Sequence, residues 1–274
     1  MEKYTLITGA CGGLGKEFVK LCAKAGENLI LTGTNEKKLE SLKTELSKEL
    51  DGLKVITAVC DLGNEKSRAL LLDKVKSDGL TVSRLINNAG VIIEGDLIKF
   101  EDEQIINAVR VNCEGTLDLT QKLLKIRDEN EKFEVLTISS LASSYPMPHM
   151  AVYAATKAFL TSMMTALAVE FKGKNVVFTT VCPGGIYTTQ EMKDSIKSMG
   201  FGGKLSSASP EKVAKVALRA LKKKKRVVIV GGFNKFLAGI SKIFSKSFMA
   251  LVVGNIWKKS QSKRGFWYDF IILF

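Results

Sequence analysis

Seven short apolar runs, most separated by a stretch with helical periodicity, constrain this chain more than any other feature. They span 4–8, 29–32, 54–59, 82–87, 133–139, 176–181 and 227–230. Several are rich in β-branched residues, as strands buried on both faces are. Between them lie amphipathic segments such as 36–50 and 65–76. Strands alternating with helices imply a parallel sheet covered on both sides, and right-handed crossovers make it doubly wound. The expected fold class is therefore α/β over residues 1–231, with a mostly parallel seven-stranded sheet. Ligands of such sheets bind beyond the carboxyl ends of the strands, so the residues following each run carry the chemistry.

The first run ends in Thr8-Gly9-Ala10-Cys11-Gly12-Gly13-Leu14-Gly15, just before a helix starting near Lys16. Glycines there allow a tight turn and close approach of the backbone to a pyrophosphate. The helix N-terminus adds free N–H groups and a positive dipole end. An NTPase phosphate loop does not fit, because Ala10 stands where its first glycine belongs and Glu17 replaces the Ser/Thr after its lysine.

Further signals follow in order. Asp61-Leu62 comes after the third run, Asn87-Asn88-Ala89-Gly90 after the fourth, and Ser139-Ser140 at the end of the fifth. Asn112 lies in a helical stretch, Tyr153 and Lys157 form Tyr-x-x-x-Lys, and Pro183-Gly184 follows the sixth run. Over roughly residues 3–231 this ordered set resembles the short-chain dehydrogenases, whose fold is of the Rossmann type. The resemblance implies a nicotinamide cofactor held by Thr8, Gly9, Gly13, Leu14, Gly15, Thr34, Asn35, Asp61, Leu62, Asn88, Ala89, Gly90, Tyr153, Lys157, Pro183, Gly184, Ile186 and Thr188. It also implies catalysis by Ser140, Tyr153 and Lys157, with Asn112 holding a water in a proton relay.

The residue types suit that chemistry. Reducing a ketone needs a proton donor at the developing alkoxide and a hydride that no side chain can supply. A phenol, with a pKa of about 10, is a weak acid at neutral pH. Tyr153 and Lys157 at i and i+4 share one helix face, so the ammonium is expected to lower the phenol pKa. Ser140, at a strand end facing the same cleft, is placed to hydrogen-bond the substrate oxygen.

The second run is followed by Gly33-Thr34-Asn35, without the acid that marks NAD or the arginine that welcomes the 2′-phosphate of NADP. Absence of an acid removes the main repulsion against a phosphate, and Thr34, Asn35, Lys37 and Lys38 are its candidate ligands. NADP is the preferred expectation and NAD the alternative. His149, the sole histidine, either lines the substrate loop or faces solvent. Its solitude and the lack of paired cysteines exclude ordinary zinc sites, so no metal is expected. Met192, Ile196, Met199 and Phe201 fall in 188–205, where the family's substrate lid lies, and suit an apolar substrate if they are not core packing. Tyr145, Met147 and Tyr187 are expected to complete the pocket wall.

The net charge of +13 is concentrated late: from Lys222 onward twelve Lys/Arg face a single acid, Asp269. Residues 232–274 form a basic amphipathic helical extension in which Phe236, Ile240, Ile243, Phe244, Phe248, Leu251 and Ile256 recur at helical steps. Its longest charge-free run, 247–257, is too short to span a bilayer. An interfacial helix on anionic lipid and a helix packed on its own domain or on another subunit both remain open. Lys222 to Arg226 read as a solvated turn, and with no nucleic-acid motif elsewhere nucleic acid is excluded as a partner. Scattered cysteines and a strand-like segment close to Met1 point to a reduced cytoplasmic protein, peripheral to a membrane if the extension binds lipid.

The expected function is NAD(P)(H)-dependent interconversion of a carbonyl and a secondary alcohol by a homo-oligomeric enzyme. The alternative is a catalytically silent nucleotide-binding or membrane-associated scaffold of the same fold.

Overall fold

A computed structural model describes residues 2–50, 52–188 and 200–271, with side chains excluded at 200–202 and 259–271. The strands are β1 (Lys3–Thr8), β2 (Asn28–Gly33), β3 (Val55–Val59), β4 (Thr81–Asn87), β5 (Phe133–Ile138), β6 (Val176–Cys182) and β7 (Val227–Ile229). Through β4 they alternate with α1 (Gly13–Lys24), α2 (Glu36–Glu49) and α3 (Glu65–Ser77). The second half adds α4 (Asp102–Val109), α5 (Thr116–Ile126), α6 (Ala151–Glu170), α7 (Gly200–Ser206) and α8 (Pro210–Lys222). Two further helices, α9 (Gly232–Ile240) and α10 (Lys246–Ile271), follow β7.

The sheet order is β3-β2-β1-β4-β5-β6-β7, and every neighbouring pair is parallel. Strand order reverses between β1 and β4, which opens a crevice there. The seven apolar runs thus became these strands, with ends shifted by a residue or two.

Two apolar layers sandwich the sheet. On one side Phe18, Val19 and Cys22 of α1 and Val213, Ala217 and Leu221 of α8 pack on Leu29, Leu31, Ile86 and Leu136. On the other, Leu71 and Val75 of α3, Leu119 and Leu123 of α5 and Met164 of α6 cover Leu6, Leu85 and Val135. Each fully buried Leu or Phe contributes about 1.5–3 kcal/mol. Helix starts are set locally: Asn35, Asn64 and Ser209 each accept an N–H three residues on.

Between α4 and α5, Arg110–Gly115 form a π-turn. Gly115 permits it, since a Cβ there would lie 2.3 Å from the carbonyl oxygen of Leu62. Arg68 braces the same junction from a position only 2% exposed. Its guanidinium donates to Asp118 (2.8 Å), Glu114 (2.6 Å) and the Leu62 carbonyl (2.6 Å).

Candidate active site

The glycine turn between β1 and α1 is shaped for close approach. Gly9 adopts φ 63°, which favours glycine, and a Cβ on Gly15 would fall 2.1 Å from the Gly9 carbonyl oxygen. A Cβ on Gly13 would meet Thr188 at 3.0 Å, so Thr188 and the turn close on each other. No side chain caps α1 and no acid lies in its first turn, which leaves the positive helix end available to an anion. The turn is tied across the strand reversal. Thr8 Oγ1 accepts the N–H groups of Asn88 and Ala89, both at 3.0 Å. Asn88 Nδ2 donates to the carbonyls of Thr8 and Gly9 at 3.0 and 3.1 Å.

Further along the strand ends, Asp61 is exposed and its Oδ1 accepts the Gly63 N–H at 2.8 Å. Leu62 is buried, and Thr34 and Asn35 are exposed. Asn35 Oδ1 accepts the Lys38 N–H at 2.9 Å, which leaves its amide nitrogen and one oxygen lone pair for a ligand. Lys16, Lys37 and Lys38, with Ser41, Leu42 and Glu45, enclose a cavity of about 190 Å³ beside this turn. Lys16 belongs to α1 and reaches the cavity only through the packing of α1 beside α2, which is why sequence reading passed over it.

Ser140, Tyr153 and Lys157 converge beyond the end of β5. Ser140 caps the short turn Leu141–Ser144, its Oγ accepting the Ala142 N–H at 3.1 Å, and its hydroxyl acts on the Tyr153 phenol. The neighbouring Ser139 turns away, donating to the Lys157 carbonyl at 2.8 Å. Lys157 is buried, with Nζ donating to the Ile138 carbonyl at 2.9 Å and lying 5.8 Å from the Tyr153 ring centroid.

The ammonium does not lower the tyrosine pKa as the spacing suggested. Burial pushes the Tyr153 phenol above its ordinary range, with the Ser140 hydrogen bond pulling the other way. Lys157 is itself brought down to about 8 by burial, against the opposing pull of the Cys182 and Cys113 thiols. Desolvation is the largest influence at both groups.

Asn112 sits in the π-turn rather than in regular helix. Its Oδ1 accepts the Val91 N–H at 2.8 Å, and its Nδ2 donates to the Val91 carbonyl and to Thr156 Oγ1 at 2.9 and 3.0 Å. Both amide protons are committed, so the side chain acts first as a pin, with one Oδ1 lone pair left for a water. Past β6, Gly184 packs where a Cβ would lie 2.1 Å from the Ser206 carbonyl oxygen, and Ile186 bridges to Ala208. Met192, Ile196, Met199 and the Phe201 side chain lie outside the described residues.

A cavity of about 310 Å³ is lined by Ile93, Leu97, Phe100, His149, Met150 and Val152 among others, at the start of α6; Ser140, Tyr153 and Lys157 are not among its lining residues. His149 lines this cavity. It has φ 65°, pairs through Nδ1 with Asp96 at 2.8 Å, and stacks on Trp257 of α10 at 3.6 Å and 11°. Tyr145 is largely buried, and Met147 packs with Ala142 and Tyr153. Among the described residues no cluster of metal ligands occurs.

A doubly wound sheet with a glycine turn at its strand reversal and a Ser-Tyr-Lys group beyond β5 defines a dinucleotide-binding α/β protein. Residues 3–199 match the family model described as short chain dehydrogenase, and the chain belongs to this family of oxidoreductases. A very-long-chain 3-oxoacyl-CoA reductase of Neurospora crassa is 35% identical over 177 residues, covering 63% of this chain and 53% of that protein. The chain thus spans about half the length of that relative. Dehydrogenase/reductase SDR family member 7B of Xenopus laevis is 27% identical over 271 residues, covering 95% of this chain and 84% of that protein. A solved 7beta-hydroxysteroid dehydrogenase superposes with a TM-score of 0.82 at 23% identity, covering 92% of this chain and 96% of that one. A short-chain dehydrogenase from Sphingobium yanoikuyae in complex with NADPH gives 0.73 at 24% identity, covering 83% and 87%. At these identities the structural likenesses carry the fold.

Proposed function

We propose that the chain is an NADPH-preferring reductase that converts a ketone on an apolar substrate into a secondary alcohol, with NADH as the weaker cofactor. The observation that carries this reading is the grouping of Ser140, Tyr153 and Lys157 beyond β5, together with a close-packed glycine turn at the uncapped start of α1.

The residues fit the cofactor. Side chains at Gly9, Gly13 or Gly15 would strike Ala89, Thr188 and the Gly9 carbonyl, so glycine is needed for this tight turn, and the uncapped start of α1 suits phosphate. The cavity of Lys16, Lys37 and Lys38 lies where the turn after β2 would meet the ribose, and its charge favours a 2′-phosphate. When bound, the nicotinamide supplies the hydride. Ser140 hydrogen-bonds the carbonyl oxygen, and Tyr153 gives its phenolic proton to that oxygen as the alcohol forms. Burial keeps the phenol protonated at neutral pH, the form that a reduction needs. Lys157 holds two N–H donors beyond the one spent on Ile138, enough to grip a ribose hydroxyl beside the tyrosine.

The kinship with 3-oxoacyl-CoA reductases supports an apolar substrate. Exposed apolar residues on α5 and α6, including Leu117, Phe159 and Val169, support a homo-oligomer formed through those helices.

The test is titration of the full chain with NADPH and NADH, followed by a ketone screen that includes 3-oxoacyl thioesters and bulky cyclic ketones. Tyr153→Phe is expected to keep NADPH affinity and to lose about 10²–10⁴-fold in turnover. Substituting Lys16, Lys37 and Lys38 by Ala is expected to weaken NADPH at least about tenfold while leaving NADH unchanged. Absence of binding by either cofactor at millimolar concentration would sink the reading.

A further inference from the structure

We infer that the outward face of α9 and α10 seats this protein on an anionic lipid bilayer, a property independent of the reaction proposed above. The stretch 247–257 of α10 carries no charge and is largely apolar. Its inner stripe is already satisfied by the chain's own domain. Met249 is buried, and a Cβ on Gly254 would meet Pro148 at 3.2 Å. Trp257 stacks on His149 and donates through Nε1 to Glu94 at 3.1 Å.

The opposite face has no such cover. Ile243 is 79% exposed, Leu251 68%, Phe236 62% and Ile256 59%, and Phe244, Phe248 and Val252 are exposed beside them. Phe244 and Phe248 have ring centroids 4.9 Å apart. An isolated exposed Leu is ordinary, but seven large apolar side chains within residues 236–256 form an interaction surface.

Charge selects the occupant. Lys235, Lys242, Lys246 and Lys258 are all exposed along these helices, and no Asp or Glu occurs between Glu211 and Asp269. A self-complementary dimer through this face would bring the same lysines together with no acid from the segment to offset them. A bilayer with anionic headgroups supplies both what the aromatic and aliphatic side chains need and what the lysines need. Because the charge-free stretch at 247–257 is too short to cross a bilayer, this part of the helix lies in the surface plane. Its inner stripe holds Glu94, Pro148 and His149, so binding places the substrate-side loops next to lipid.

The experiment is cosedimentation of the full-length protein with vesicles of phosphatidylcholine alone and of phosphatidylcholine mixed with phosphatidylglycerol, at low and high salt. Binding to the anionic vesicles, reduced by salt and weak on the neutral ones, is expected. Phe244→Ser, Phe248→Ser and Leu251→Ser combined should abolish sedimentation while leaving the circular dichroism spectrum and the thermal transition intact, since all three side chains are exposed. Lys235→Glu, Lys242→Glu and Lys246→Glu should each weaken partitioning by at least roughly fivefold. Failure to bind anionic vesicles would overturn the inference. So would a serine variant that still binds them but changes from oligomer to monomer in light scattering, which would assign the face to a second copy.

Discussion

Asn112 grips the main chain of Val91 with both ends of its side-chain amide, accepting the N–H at 2.8 Å and donating to the carbonyl at 2.9 Å. The pairing mimics one rung of a sheet ladder and fastens the π-turn to the segment leaving β4. Through Thr156 Oγ1, which donates to the Tyr153 carbonyl at 2.8 Å, it also reaches the first turn of α6. Three elements of the candidate site therefore meet at one buried amide. Asn112→Leu would leave two main-chain groups and Thr156 short of partners, with an expected loss of about 2–4 kcal/mol in urea denaturation. A variant with unchanged stability and reduced turnover would instead assign Asn112 to proton transfer alone.

Lys157 makes stability depend on pH in an unusual direction. Its pKa falls from 10.5 to about 8 on folding because the site is buried. Below pH 8 the ammonium is charged in both states, and its desolvation destabilises the fold. Between about 8 and 10.5 the unfolded chain keeps the proton that the folded chain has released, so stability rises with pH through that window. Lys157→Met should therefore stabilise the protein without cofactor at pH 7, by about 3 kcal/mol. Thermal melts should show this gain shrinking as pH rises and vanishing near 10.5, while turnover is lost at every pH. A gain independent of pH would mean that charge burial is not the cause.

Gly15→Ala isolates the cradle. The added methyl would sit 2.1 Å from the Gly9 carbonyl oxygen, a backbone atom that cannot swing aside. The turn must then open, and NADPH affinity should fall at least about tenfold with only a modest change in melting temperature. Calorimetric affinity within twofold of the parent would show that the turn tolerates the shift.

Arg68 carries a prediction about folding rather than chemistry. With its guanidinium removed in Arg68→Met, Asp118 keeps Lys122 at 2.9 Å, but the Leu62 carbonyl loses its charged donor. The expected cost is about 2–4 kcal/mol, less than for a wholly buried triad because Glu114 is half exposed. Amide exchange should quicken first where α3 meets the π-turn; uniform loss of protection would count against a local brace.

Much of this was legible in sequence because it is written in local periods. Apolar runs located all seven strands, and the glycine turn, Asn88, Ser140, Tyr153 and Lys157 fell at strand ends or helix starts. What escaped notice depends on packing between distant segments. Nothing near Arg68 announces that it will be buried, since Glu114 and Asp118 arrive from α5 and the turn before it. Spacing placed Lys157 beside Tyr153 correctly but could not show how deeply both groups would be buried. The π-turn at Asn112 looks like ordinary helix in one dimension. For the extension, periodicity could not choose between packing inward and facing outward, and the described part of α10 does both.

The contact between Trp257 and Glu94 joins positions 163 residues apart. During synthesis β1, α1 and β4 emerge long before α10, so the material of the phosphate cradle is present while the substrate-side loop still lacks its strap. At about 5–20 residues per second, roughly ten to thirty seconds separate Glu94 from Trp257 on a ribosome. The glycine turn is thus early and the Trp257 strap late, so the loop that carries Glu94 takes its final contacts only once α10 has emerged.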